Sequence, residues 1–142
     1  MNTEIELYNN TNFKLYIKKS NIKKAGNGLY TLEPIPKDTL IGYYEGKILK
    51  GSANITDYSF EISSRYFIDA SEYPRCYIAM INDSHNSKYM NNCEFRIVYY
   101  NHKHKPLSAK ERKVALYSIS DINKNEELLA SYGDDYWTTR IK

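Results

Sequence analysis

The apolar residues of this chain come in short runs, and Gly, Pro, Asn or Ser ends each run before a third helical turn could form. The longest run, Tyr77-Ile78-Ala79-Met80-Ile81, has five residues, or six with Cys76, far below the roughly 20 a membrane-spanning helix needs. Chains punctuated in this way are built from short strands. Phe13, Leu15 and Ile17 alternate with Lys14, Tyr16 and Lys18, the period of a half-buried strand. Ala25-Gly26-Asn27-Gly28 reads as a tight turn, after which Leu29 to Leu32 resumes the strand pattern. Pro34-Ile35-Pro36-Lys37-Asp38 excludes helix interior and central strand, because each proline removes a donor. Thr39 to Tyr44 reads as the next strand, with Gly46 breaking it. Tyr58 to Ile62 and Tyr66 to Ile68 read as a hairpin around Ser63-Ser64-Arg65. Arg75 to Ile81 alone reads as a helical turn. Cys93 to Tyr100 and Val114 to Ile119 are strands flanking a basic polar loop from His102 to Lys113. Asn123-Lys124-Asn125 is a turn, and Glu126 to Tyr132 runs extended into Gly133. The expected fold class is mostly β, with several small sheets and little helix.

Length and charge narrow the class further. A chain of 142 residues is the size of one domain, so residues 1–142 are expected to form a single unit. The N-terminal residues show no basic and apolar leader pattern, and an intracellular setting is the expectation. Cys76 and Cys93 are too few for a disulfide scaffold or a four-thiolate zinc site, which also fits a reducing compartment. His102 and His104 have no third ligand candidate beside them, so no metal is expected. Lys and Arg number 20 against 17 Asp and Glu. That mild excess is no argument for direct nucleic-acid binding, and neither a nucleic acid nor a membrane is an expected partner. The one unusual count is 15 tyrosines, and composition cannot say which of them are chemical.

Three segments are more informative together than apart. Ala25-Gly26-Asn27-Gly28-Leu29 can bring backbone N–H and C=O groups close to a ligand. Asn82 in Ile81-Asn82-Asp83-Ser84 offers a donor and an acceptor. Asn125-Glu126-Glu127-Leu128-Leu129-Ala130-Ser131-Tyr132-Gly133-Asp134-Asp135-Tyr136-Trp137 joins an acidic turn, an apolar strand and a Tyr-Gly followed by two aromatics. Between them stand Tyr44-Glu45-Gly46, Ile68-Asp69-Ala70 and Asn92-Cys93. In this order the motifs resemble the SET domain, with the motif-bearing core at about 13–137. The tail from Ser131 to Trp137 looks especially like the small viral members. Asp83 stands where the family usually has His, and Ala79-Met80 where it often has Arg-Phe.

The resemblance implies a fold in which small sheets surround a knot-like crossing that brings Asn82 and Tyr132 together. It implies an activity as well: transfer of a methyl group from S-adenosyl-L-methionine to a lysine amine of a histone tail, the H3 tail foremost. Tyr132 matches the catalytic tyrosine and Tyr44 the pocket tyrosine before Glu-Gly. Ala25, Gly26, Asn27, Gly28, Asn82 and Asp83 match cofactor-contact positions, with Tyr136 and Trp137 as aromatics to pack on adenine. The family's zinc-binding segment after the domain is not expected here. Phe95 and Ala130 are the expected channel residues, and their lack of a hydroxyl favours di- or trimethylation. Glu94, Glu126, Glu127, Asp134 and Asp135 would attract a basic peptide. The viral likeness implies a homodimer and a host nucleus. The rival expectation, motivated by Asp83 and Ala79, is a catalytically inactive SET-like interaction module.

Overall fold

The computed structural model describes residues 6–133. Tyr136 and Trp137, with Asp134 and Asp135, lie outside the described residues. Eleven short strands appear in chain order: β1 (Leu7–Tyr8), β2 (Leu15–Lys19), β3 (Asn27–Thr31), β4 (Leu40–Tyr43), β5 (Lys47–Lys50), β6 (Ser59–Glu61), β7 (Tyr66–Asp69), β8 (Arg75–Cys76), β9 (Cys93–Val98), β10 (Lys113–Ser118) and β11 (Glu127–Leu128). The helical turn expected over Arg75 to Ile81 is a 3₁₀ turn at Tyr77–Met80, and a second closes over Ala109–Glu111. The fold is mostly β, in several small sheets, as the short runs require.

The strands form three three-stranded sheets, ordered β4-β10-β9, β11-β3-β2 and β5-β7-β6, and a parallel pair β1-β8. The strand in the middle of each trio carries the most continuous buried stretch. Gly28 to Thr31 of β3, Val114 to Leu116 of β10 and Phe67 to Asp69 of β7 are each buried without a break. A strand covered on both faces has no solvent side on which to place polar residues. The edge strands β2 and β5 carry Lys18, Lys19, Lys47 and Lys50 as exposed residues, which blunts further pairing. Leu29, Ile35, Ile41, Ile62, Ile78, Leu116, Ile122 and Leu128 are almost wholly buried and belong to one core cluster. Each contributes about 1.5–3 kcal/mol of transfer free energy. Cys76 and Cys93 are free, buried thiols in the same core.

Three strands were not expected from sequence: β1, β5 and β8, the last lying within the stretch Arg75 to Ile81 expected as a helical turn. β1 has only two residues and β5 is mostly exposed, so neither leaves a strong alternation. The expected strand from Glu126 to Tyr132 is regular only at β11, because its continuation pairs in single bridges to two different segments.

Candidate active site

The segment after β11 makes parallel bridges on both sides, Leu129 with Asn82 and Ala130 with Cys93. Ala130 N donates to Asn82 O at 2.9 Å, while Asn92 N and Cys93 N both donate to Leu129 O at 3.0 Å. The C-terminal segment thus lies between the two ends of the loop 82–93. Buried Asn92 clamps it: Nδ2 donates to Glu127 O at 2.9 Å and Oδ1 accepts from Leu129 N at 2.9 Å. This is the knot-like crossing, and it delivers Tyr132 to the Asn82 segment.

Two short hydrogen bonds help to orient Tyr132. Its backbone N donates to Asp83 Oδ2 at 2.8 Å, and its hydroxyl donates to Ile81 O at 2.7 Å. The Asp83 carboxylate is buried, and Oδ1 accepts from His85 N at 2.9 Å. Asp83 therefore ties the loop start to the backbone of Tyr132. The Asn82 amide bridges the two segments, its Oδ1 3.4 Å from the Tyr132 hydroxyl and its Nδ2 donating to Asn27 O at 2.9 Å. That bond fastens the Ala25–Asn27 turn beside Tyr132.

A second buried acid sits behind this turn. Glu127 accepts from Ser20 Oγ at 2.6 Å and Asn21 N at 2.8 Å, with Asn82 Nδ2 at 3.5 Å. A Cβ on Gly28 would stand 2.2 Å from Glu127 Oε2, so only glycine leaves room for the carboxylate. Glu127 is not a peptide-facing charge, contrary to expectation; it is an internal tie between β11 and the β2–β3 turn. Glu126 is also used internally, meeting Asn92 Nδ2 at 3.4 Å and Asn123 N at 3.1 Å. Glu94 is half-buried and paired with Arg96.

The other end of the site is aromatic. Tyr44, just after β4, is 8% exposed and its hydroxyl donates to Tyr58 O at 2.5 Å. Burial pushes its phenol well above the ordinary range, and the neighbouring Cys76, Asp69 and Tyr132 push the same way. Phe60 of β6 and Phe95 of β9 complete a cluster of rings with centroid separations of 5.8 Å, 6.1 Å and 5.1 Å, in tilted and edge-on geometries that favour aromatic pairs. Phe60 escaped the sequence reading. The signal was there in part, since it alternates with Ser59 and Glu61 and shares with Tyr58 the face that packs on the core.

One cavity of about 560 Å³ joins the two ends, within the roughly 300–1,000 Å³ typical of small-molecule sites. Ala25, Gly26, Asn27 and Asn82 line one part, Tyr44, Phe60 and Phe95 another, and Tyr132 also lies on the wall. Gly26 has φ +72°, and a Cβ there would meet nothing within 4 Å, so the turn faces open space in which a ligand can approach its backbone. Three expected site residues stand off this wall. Gly28 packs on Glu127; Ala130 is fully buried between Asn82 and Cys93; Asp83 borders a neighbouring cavity of about 730 Å³ with Lys23, Lys24 and Lys88. No cluster of three or more His, Cys, Asp or Glu suited to a metal occurs among the described residues.

Residues 26–133 match the family model described as the SET domain. That is well over half of the chain, and the chain belongs to the SET-domain family. No curated protein sequence matches it. Solved structures match in fold. The Chaetomium thermophilum polycomb repressive complex 2 aligns with TM-score 0.67 at 22% identity over 87% of this chain and 16% of its own. KRYPTONITE in complex with mCHG DNA and SAH aligns with TM-score 0.67 at 24% identity, covering 86% of this chain and 24% of that one. KRYPTONITE with mCHH DNA, an H3(1-15) peptide and SAH aligns with TM-score 0.66 at 24% identity, over 85% and 23%. The chain thus spans less than a quarter of the length of these neighbours.

Proposed function

We propose that this chain is an S-adenosylmethionine-dependent protein-lysine N-methyltransferase acting on a histone tail, that of H3 first. The observation that carries the proposal is the cavity joining the Ala25–Asn27 turn, Asn82 and Tyr132 to the Tyr44–Phe60–Phe95 cluster. The family and the bound SAH of a structural neighbour support the choice of cofactor. The polar end offers what such a ligand requires: backbone groups of the Ala25–Asn27 turn and the Asn82 side chain. When bound, the cofactor supplies an electrophilic methyl group on a sulfonium.

The residues of the chain do the rest. A lysine amine must be neutral to attack, and its ordinary pKa is about 10.4. The ring cluster of Tyr44, Phe60 and Phe95 strips water from the amine, which disfavours the ammonium form. Both tyrosine hydroxyls already give their protons away, Tyr132 to Ile81 O and Tyr44 to Tyr58 O. What each oxygen has left is lone pairs, which accept amine N–H and polarised methyl C–H groups. The raised phenol of Tyr44 keeps that oxygen neutral, so it positions the amine and takes no proton from it. Holding nucleophile and methyl in line supplies much of the rate. The peptide would add to β6, whose outer edge is unpaired in the sheet β5-β7-β6 and whose Ser59 and Phe60 line the cavity. Phe60 and Phe95 carry no hydroxyl to hold a water against a methylated amine, which favours di- and trimethyl products.

The test is label transfer from S-adenosylmethionine to core histones, with mass spectrometry of the modified lysine. Tyr132→Phe should cut turnover by on the order of 10²-fold or more while cofactor affinity by calorimetry changes little. Tight cofactor binding with no transfer to any histone lysine would instead favour the inactive-module reading. Asp83 lends that rival no support, because its carboxylate holds the Tyr132 backbone in place.

A further inference from the structure

Arg75, the first residue of β8, is only 7% exposed, yet the methyl-transfer chemistry makes no use of it. Its Nε donates to Ala70 O at 2.8 Å and its Nη2 to Ser71 O at 2.6 Å. The guanidinium lies over the Tyr58 ring at 3.9 Å and the Tyr73 ring at 4.4 Å. Two carbonyls and two rings fix the plane of this cation. Its third nitrogen, Nη1, makes no hydrogen bond among the described residues, and it is not sealed away from solvent. No carboxylate lies within 4.0 Å of the guanidinium among the described residues.

A buried cation without a counter-ion is costly. Ring faces offset part of that cost, but they leave the charge uncompensated. The wall that Arg75 helps to form belongs to the same cavity that holds Asn82 and Tyr132. Among the described side chains lining that cavity, Arg75 is the one cation and Asp57 the one carboxylate. From the turn Tyr77–Met80, Ala79 contributes only a methyl group to this wall and Met80 an uncharged side chain, so the turn adds no charge to the cavity. The amino-acid end of S-adenosylmethionine carries one carboxylate and one ammonium, a charge pair that this lining complements.

We infer that Arg75 binds the carboxylate of the cofactor's amino-acid end through its unengaged guanidinium edge, with Asp57 the acidic side chain on the ammonium side. The inference rests on the methyltransferase reading and deepens it. It assigns a charged partner to a ligand end for which the Ala25–Asn27 turn offers only backbone dipoles. A planar guanidinium presents paired N–H donors that match a carboxylate better than a lysine ammonium does.

The test uses the whole chain and two ligands that differ only in the carboxylate: S-adenosylmethionine and its decarboxylated form, which keeps the amine, the sulfonium and the nucleoside. Calorimetry on the unaltered protein should show the decarboxylated ligand binding roughly 10–100-fold more weakly, the scale of a charge-assisted hydrogen bond. In Arg75→Met that preference should vanish, because S-adenosylmethionine weakens to the level of the decarboxylated ligand, which itself is unchanged. Arg75→Lys should keep a reduced preference, and it serves in place of Arg75→Met if the latter fails to melt cooperatively. Equal affinity of the unaltered protein for the two ligands overturns the inference with no variant needed. Loss of both ligands alike in a folded Arg75→Met also overturns it and makes Arg75 a clamp on the Ala70–Ser71 turn. So does a raised KM for the histone peptide with unchanged cofactor affinity, which would give Arg75 to the substrate. If the unaltered protein binds neither ligand, the cofactor assignment itself falls, and this inference with it.

Discussion

At the Asn82 end of the cavity nearly every group is held by a directed hydrogen bond, whereas at the Phe60 end most are held by a neighbouring ring. Asn92, Asp83 and Glu127 are all at most 7% exposed and direct polar atoms at backbone groups and at Ser20, Tyr30, Asn82 and Glu126. Tyr44, Phe60 and Phe95 meet through ring faces and edges, and one hydroxyl bond to Tyr58 O pins the set. Both ends leave a tyrosine hydroxyl whose proton is committed to a carbonyl. One reaches that state through a threaded segment that must be placed to a fraction of an ångström, the other through packing that tolerates adjustment. The difference is that a polar tie fails when one partner is lost, while a ring cluster yields by degrees.

The largest expected effect sharpens this contrast. Asn92→Ala strands Leu129 N and Glu127 O in the interior, at about 1–3 kcal/mol for each buried group. A loss of roughly 2–6 kcal/mol in urea unfolding should result, being the sum over those two groups. A loss under about 1 kcal/mol, the worth of a single ordinary hydrogen bond, would mean that the crossing is held by backbone pairing alone. Phe60→Leu should cost less, about 1 kcal/mol, because the ring is half-buried and the site can close around a smaller side chain. Its signature is a raised KM for the lysine peptide with unchanged cofactor affinity; a change in cofactor affinity would erase the division between the two ends.

The smallest effect is a pH dependence. Tyr44 is raised above 10.0 by burial first, and Tyr30 is pushed up to about 12 by burial and then by the nearby charge of Glu127. Both phenols keep their protons in the folded chain where the unfolded chain gives them up. Their contribution to stability is therefore complete below about pH 10 and is lost as the pH rises from there, through about 12 for Tyr30. The urea midpoint should change little from about pH 7 to 9 and fall above about pH 10, and Tyr30→Phe should soften the fall. A midpoint that rises above about pH 10 would contradict both assignments.

Much of the architecture was legible in the residues, and the exceptions have physical causes. The strand pattern located β2, β3, β4, β6, β7, β9 and β10, since each carries either alternation or a bounded apolar run. The motif order placed Tyr132 against the Asn82 segment, with Tyr132 Oη 2.7 Å from Ile81 O across 51 residues. Glu127 looked like surface charge because acids in turns usually are. Its role depends on an absence, the missing Cβ of Gly28 on the paired strand, which a one-dimensional pattern does not display. Ala130 lies two positions before Tyr132, which in an extended strand puts both on one face. Bridges on both sides of residues 129–130 remove it from the cavity wall. Arg75 drew no notice because an arginine before an apolar run reads as surface. Only the hairpin β6–β7 and the turn after it supply the rings and carbonyls that bury it.

The position of the threaded segment also governs when this molecule can become functional. Residues 127–132 leave the ribosome after every other described strand, yet Glu127 must find Ser20 across 107 residues and the chain behind it must seat between Asn82 and Cys93. Such distant pairings make folding slow relative to chains with local contacts. Until they form, Tyr132 is missing from the cavity wall and the β2–β3 turn lacks its tie to Glu127. A nascent chain stopped short of Tyr132 would lack a complete site however well its earlier sheets had formed, so synthesis past that residue times the completion of the cavity.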